Sequence, residues 1–334
     1  MKLVKFHLNG EAQEILAPPD QPLLEVLRET FKLKSVKAGC GPQKECGCCL
    51  ALIDGQPKVT CSVKIAQVQG RTILTLEGVS DNERQLYADA FQAAAGLQCG
   101  FCTPGLVLRI KYLTDQDRVL SRSEIAKALD GHLCRCTGYV KIIDAVELIY
   151  AAKRDGALPS LVENGGVGAR LNRYQGGALA VGARPFVADI DVPGLLYGAV
   201  VLSPHARAKV IRIDTEAARA LPGVFAVATA RDVPGDRWVG QIYKDWPCFV
   251  AEGEEVRCVG DVLAAIAADS ASTARLAATL VAVDYETLPP VLDPAESIKP
   301  EAPQVNPKHA NILSTTRFSR GDVDAALAAS AHVV

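Results

Sequence analysis

The sequence predicts a multidomain chain: a small α+β domain, then a bundle of four helices, then an α/β domain. Three observations carry this expectation. The first residues alternate apolar and polar on the two sides of an Asn9-Gly10 turn. Nine of the eleven cysteines fall between Cys40 and Cys136, in two groups of different spacing. A glycine-rich stretch at 155–182 separates these groups from a remainder of short β-rich runs.

Residues 3–8 alternate as a half-buried strand does. Asn9-Gly10 suits a two-residue hairpin turn, returning a second strand through about Ile15. Asp20 is expected as a helix N-cap with Pro22 in the first turn, burying Leu24, Leu27 and Phe31. A loop rich in glycine and cysteine runs from Gly39 to Cys49. Leu50–Ile53, an Asp54-Gly55 turn and Val59 then lead to Cys61, and the first domain covers 1–79. Residues 80–154 read as helices. Leu86–Ala95 is alanine-rich, and Pro104 can open a helix reaching about Thr114. Ser121-x-x-Glu124 is a capping box for Ile125–Leu129, stopped at Gly131. Thr137-Gly138 precedes a helix with Val140, Ile143, Val146 and Ile149 assigned to one face. The glycines of 155–182 read as a linker. From 183 to 300, the runs Tyr197–Leu202, Val224–Thr229 and Val262–Ala268 alternate with helical stretches at Thr215–Ala220 and Ser272–Thr279. Residues 301–334 begin a further connection, and Ala331–Val334 has the look of a strand.

Bulk properties narrow the function classes. The chain has 334 residues, 49% hydrophobic and 22% charged, with a formal net charge of −2 and no long basic run. A nucleic-acid partner is not expected from such a balance. The N-terminus, Met-Lys-Leu-Val-Lys-Phe-His, has no apolar signal core. No stretch approaches the ~18 apolar residues of a membrane span; the most apolar window, 262–283, is broken by Asp269, Ser270 and Arg275. The expected compartment is the cytoplasm, where thiols stay reduced and clustered cysteines favour metal over disulfides. The odd cysteine count argues the same way.

The first group reads Cys40-Gly-Pro-Gln-Lys-Glu-Cys46-Gly-Cys48-Cys49, with Cys61 beyond. Three thiolates from one tight loop and a fourth from a strand end can wrap a [2Fe–2S] cluster. Glycine lets backbone N–H groups turn toward the cluster sulfurs and tune its potential. Taking Cys40, Cys46, Cys49 and Cys61 as ligands gives C-x₅-C-x₂-C-x₁₁-C, one residue longer than the plant-type spacing. Cys48 could replace Cys46 or Cys49, or stand by; Cys46 and Cys49 are preferred because they keep the C-G-x-C element. The second group is Gln98-Cys99-Gly-Phe-Cys102-Thr-Pro-Gly, then Cys134-Arg-Cys136-Thr-Gly-Tyr. It offers Cys99, Cys102, Cys134 and Cys136 from loops at helix ends, where exposed N–H groups stabilise negative charge. A structural zinc site is the competing assignment for both groups. It is disfavoured by the long glycine-rich loop in the first and by the cramped C-x-C in the second.

The strings QCGFCTPG and HLCRCTGY resemble those of the xanthine dehydrogenase and aldehyde oxidoreductase family of molybdenum hydroxylases. The resemblance implies a plant-type ferredoxin (β-grasp) domain over 1–79 and a four-helix [2Fe–2S]-binding domain over 80–154. Ser203-Pro-His-Ala-Arg-Ala208, Leu221-Pro-Gly-Val224, Val259-Gly-Asp261 and Val283-Asp-Tyr-Glu-Thr-Leu-Pro289 look like the family's α/β hammerhead domain, over 183–300. The sequence departs from the family in the extra residue between Cys40 and Cys46 and in a cysteine at 48. The implied function is electron transfer, from a molybdopterin cofactor through two [2Fe–2S] clusters to a flavin or external acceptor. The whole enzyme would hydroxylate a purine or other N-heterocycle, or oxidise an aldehyde; a stand-alone ferredoxin-type carrier is the alternative. The resemblance also implies that Gln98 hydrogen-bonds the pterin and that Cys136 lies beside it. It implies no catalytic residue within this chain. The molybdopterin-binding part would lie in sequence or a subunit beyond Val334. Only about 30 residues separate the helical and hammerhead parts, which resembles flavin-free members or those whose FAD sits on a separate subunit. His205 is expected to pack rather than catalyse, and Cys248 and Cys258 to be ordinary buried or partly buried thiols.

Overall fold

The computed structural model describes every residue except 42, 158–164 and 169–170. The chain divides into two units, Met1–Ile190 and Asp191–Val334.

In the first unit, β1 (Lys2–Leu8) and β2 (Glu11–Ala17) form an antiparallel hairpin. Asn9 and Gly10 both take positive φ, at 54° and 91°, as a type I′ turn requires. The inward residues Val4, Phe6 and Leu8 are buried. The next helix departs from expectation. Asp20 does not cap it; Pro22 holds the cap position and α1 spans only Leu23–Glu25 before relaxing into a π turn over Val26–Thr30. That wider turn buries Leu23, Leu24, Val26 and Leu27, leaving Phe31 half-buried and edge-on to Phe6. After the cysteine loop, β3 (Leu50–Ile53) and β4 (Gln56–Val59) pair antiparallel around Asp54-Gly55. With β5 (Thr72–Leu74) they complete a five-stranded sheet in the order β2-β1-β5-β3-β4, β5 lying parallel to β1.

Four helices follow: α2 (Asp81–Ala93), α3 (Thr103–Thr114), α4 (Arg122–Ala128) and α5 (Tyr139–Asp155). Both hydrogen bonds of the Ser121–Glu124 capping box are made. On α5 the buried stripe is Ile142, Ala145, Val146 and Ile149, while Val140 is 64% exposed. Steps of three residues drift by about 60° each around a 3.6-residue turn, so Val140 and Ile149 cannot share a face. Tyr87 and Phe91 of α2, Leu106, Val107 and Ile110 of α3 and Ile125 of α4 complete this core.

The stretch expected as a linker is partly folded. Its portion at 158–164 and 169–170 lies outside the described residues. Beyond it, α6 (Gly176–Ala180) buries Leu179 and Ala180 in the core of the helices, and the chain to Ile190 packs as part of the first unit. Alanine and leucine among those glycines supply what glycine cannot, an apolar face to bury.

In the second unit, β6 (Tyr197–Leu202), β12 (Val262–Ala268) and β8 (Val224–Thr229) form one antiparallel sheet in the order β6-β12-β8. A second sheet has the order β11-β7-β13, from β7 (Ala208–Asp214), β11 (Glu255–Val256) and β13 (Ala282–Thr287). Between them in sequence come α7 (Glu216–Arg219), the two-residue pair β9 (Trp238–Val239) and β10 (Trp246–Pro247), and α8 (Ala271–Leu280). Ala218, Ala274 and Ala277 of the helices meet Val227, Ala264 and Ile266 of the first sheet. Short helices α9 (Pro294–Ser297) and α10 (Val323–Ala328) follow. Residues 331–334 form no strand: nothing pairs with them. His205 packs as expected, edge-on to Tyr285 at 4.7 Å between ring centroids, its backbone N–H donating to Ser203 Oγ. Cys258 is exposed rather than buried, and Cys248 is half-buried.

Candidate metal centres

All eleven cysteines are free thiols. In the first group, Cys46, Cys49 and Cys61 are buried and Cys40 is half-exposed. Cys46 meets both Cys40 and Cys48, and Cys49 meets Cys61. A dinuclear cluster divides four such thiolates between two irons. Among the described residues, no three His, Cys, Asp or Glu side chains gather as a single-metal site.

The loop supplies donors as well as thiols. Burial alone would raise the Cys40 thiol, but the backbone N–H groups of Glu45, Cys46 and Gln43 point at it, and with the Cys46 thiol they hold it down at about 7. These inward N–H groups are the arrangement that stabilises cluster sulfur. Cys61 behaves oppositely: burial, then the neighbouring Cys49 and Cys40, push it up to about 12. Buried thiols crowded in this way resist ionising alone and ionise when a metal supplies the countercharge. Cys48 is buried, donates its S–H to the Cys46 carbonyl at 3.6 Å, and touches the Cys46 thiol.

The second group is assembled from two segments. Cys102 stands at the N-cap of α3, with Cys99 one turn earlier across Gly100, and Cys134 and Cys136 precede α5. The pairs here are Cys102 with Cys134 and Cys99 with Cys136. Burial, then the Cys134 charge, push Cys102 up to about 12. Tyr139 fixes the second loop: its hydroxyl accepts the Cys134 N–H at 2.7 Å and donates to the His132 carbonyl at 3.2 Å. Gln98 is exposed, and its Nε2 donates to the Cys136 carbonyl at 3.1 Å. Gln98, Cys99 and Cys136 together therefore form the open edge of this site.

The two groups touch. The Leu133 N–H donates to the Cys46 carbonyl at 3.0 Å, so a residue next to Cys134 is bonded to a cysteine of the first group. Two glycines allow this approach. A Cβ at Gly47 would lie 2.6 Å from the Gly131 carbonyl oxygen and from His132 Nδ1, and one at Gly105 would lie 2.7 Å from the Gly47 carbonyl oxygen. His132 is buried, its Nδ1 has no hydrogen-bond partner among the described residues, and burial lowers it to about 4. Gly47, Gly105, Leu133 and His132 are contacts that motif reading passed over. Gly47 takes a positive φ of 68°.

Three family descriptions match in order: "2Fe-2S iron-sulfur cluster binding domain" over residues 6–75, "[2Fe-2S] binding domain" over 75–147, and "Aldehyde oxidase and xanthine dehydrogenase, a/b hammerhead domain" over 181–289. The nicotinate dehydrogenase small FeS subunit of Eubacterium barkeri is 45% identical over 152 residues, covering 45% of this chain and 95% of that subunit. The chain belongs to the xanthine dehydrogenase and aldehyde oxidoreductase family of molybdenum hydroxylases. It is an oxidoreductase portion that carries two [2Fe–2S] clusters and transfers electrons. The aldehyde oxidoreductase of Megalodesulfovibrio gigas is 32% identical over 347 residues, covering 98% of this chain. The solved aldehyde oxidoreductase from Desulfovibrio gigas superimposes with a TM-score of 0.83 at 29% identity, covering 99% of this chain. The chain spans 38% and 39% of the length of these two proteins. Among the described residues, no helix is long and apolar enough to cross a membrane.

Proposed function

We propose that Cys40, Cys46, Cys49 and Cys61 hold one cluster and Cys99, Cys102, Cys134 and Cys136 the other. The observation that carries this reading is the gathering of thiols in each group: Cys40, Cys46, Cys49 and Cys61 lie close together in the first, with Cys48 beside Cys46, and Cys99, Cys102, Cys134 and Cys136 do so in the second. A [2Fe–2S] cluster bound there supplies one-electron transfer.

The edges of the two sites give the assembly a direction. The edge bearing Gln98, Cys99 and Cys136 faces the molybdopterin part, and the edge bearing Cys40 faces the acceptor. Gln98 orients the Cys136 carbonyl with one amide hydrogen, and its amide keeps a second donor and an acceptor for a pterin edge. The molybdopterin cofactor belongs to domains or a subunit beyond this chain, and FAD, where used, to a separate subunit. The continuous similarity to aldehyde oxidoreductases favours the flavin-free layout, whereas the similarity over 152 residues to a nicotinate dehydrogenase subunit favours an N-heterocycle as substrate. Free thiols throughout agree with a cytoplasmic location.

The test uses the assembled enzyme. Reduced protein should show two distinct EPR signals, with as much labile sulfide as iron. Gln98→Ala should keep both signals and slow substrate reduction of the helical-domain cluster. Zinc in place of iron, or stronger magnetic coupling of Mo(V) to the cluster at Cys40, would overturn the reading.

A further inference from the structure

Residues 175–190 lie on the first unit as a ligand lies in a groove. At one end, Leu179 covers the Cys99–Cys102 loop: a Cβ at Gly100 would come within 2.9 Å of it. Gly176 and Gly182 fit closely against Gln92 and against Ser35 and Pro104. Phe186 then stacks edge-on to Phe101, with 5.3 Å between ring centroids.

The other end is an acid in a basic pocket. Asp189 accepts from Lys37 Nζ at 2.6 Å and from Arg28 at 2.7 Å, and Lys34 Nζ donates to the Asp189 carbonyl at 2.6 Å. Lys37 is 1% exposed and also lies over the Phe186 ring at 4.8 Å. Burial lowers Lys37, and Asp189 opposes that shift. Burial alone would raise the Asp189 carboxyl, but the Lys37 and Arg28 hydrogen bonds hold it at about 2. A buried lysine without its carboxylate is strongly unfavourable, so the pocket on the ferredoxin-like domain is complete only when this segment is in place.

We infer that the iron–sulfur unit carries a peptide-binding groove whose occupant is residues 175–190 of this chain, recognised by an apolar plug at Leu179, an aromatic at Phe186 and an aspartate at 189. The groove joins the two iron–sulfur domains, since Lys37 and Arg28 come from the first and Phe101 and Pro104 from the second. Its occupancy closes the second cluster's loop from one side. The inference stands on packing within the first unit and is independent of substrate.

The full chain with a protease site inserted between Gly165 and Gly166 tests this. After cutting, the two pieces should stay together on gel filtration. A synthetic peptide of residues 172–191 in excess should release the C-terminal piece. The same peptide carrying Asp189→Asn should compete roughly a hundredfold less well, the usual scale for unpairing a buried charge. Exchange for a peptide carrying Leu179→Ala should shift the EPR signal of the second cluster, whereas exchange for the native peptide should leave it unchanged. Pieces that separate on cutting, a native peptide that releases nothing, or an Asn peptide that competes equally would each overturn the inference.

Discussion

The two cysteine groups reach the same chemistry by different routes. The first is a local construction: one loop holds four thiols, three of them the ligands proposed above, and turns its own N–H groups on Cys40, and β4 leads into Cys61. The second is a tertiary construction. Its thiols come from the α3 start and from the loop before α5, held by Tyr139 and Gln98 and covered by Leu179. The apolar cores divide differently again. Cys49 and Cys61 belong to the core of the sheet, whereas Cys46 and Cys48 pack with Cys102 and Cys134 in the core of the helices. A local site can form as soon as its loop does; a tertiary site needs its helices docked first.

This contrast can be broken most directly by removing one ligand from each site. Cys102→Ser should abolish one EPR signal, halve the iron and lower the melting temperature, because a cluster that cross-links two helix ends stabilises their docking. Cys61→Ser should abolish the other signal and leave helix content unchanged by circular dichroism. If both variants lost both clusters, the two sites would form one cooperative construction.

A smaller effect is expected where the sites meet. Gly105→Ala adds a methyl against the Gly47 carbonyl, and overpacking at such a contact costs about 2 kcal/mol. Denaturant unfolding should show that loss. The spin coupling between the two reduced clusters should weaken while both signals persist. Unchanged coupling would mean that the backbone contact at Gly47 does not set their separation.

The smallest effect belongs to Cys48. Cys48→Ser keeps a hydroxyl donor for the Cys46 carbonyl, so both clusters should form in full. Only the signal of the first should shift slightly. Loss of that cluster would make Cys48 a ligand and reassign the loop.

What the sequence disclosed follows the same division. Hairpin turns, the capping box and the cysteine spacings are short-range features, and each lies within a few residues of where it was expected. The helix at Pro22 was misjudged because the chain adopts a π turn, whose wider pitch the apolar spacing of Leu24, Leu27 and Phe31 does not encode. The folding of 176–190 was hidden for a different reason. Nothing local marks Lys37 for burial, and its partner stands 152 residues away. Glycine-rich composition around that partner signals flexibility, and the few apolar residues that override it become visible only against Gly100 and Phe101.

The hydrogen bond between Leu133 and Cys46 also has a mechanical meaning. Two domains joined by a flexible hinge would hold their redox centres at a fluctuating distance, and tunnelling, which decays steeply with distance, would fluctuate with it. Here backbone meets backbone with no side chain between, because neither Gly47 nor Gly105 has one to interpose. The approach of the two loops is thus set by peptide against peptide. Thermal motion of the surrounding side chains has little purchase on it, so the rate of passage between the two centres should be nearly the same in every molecule.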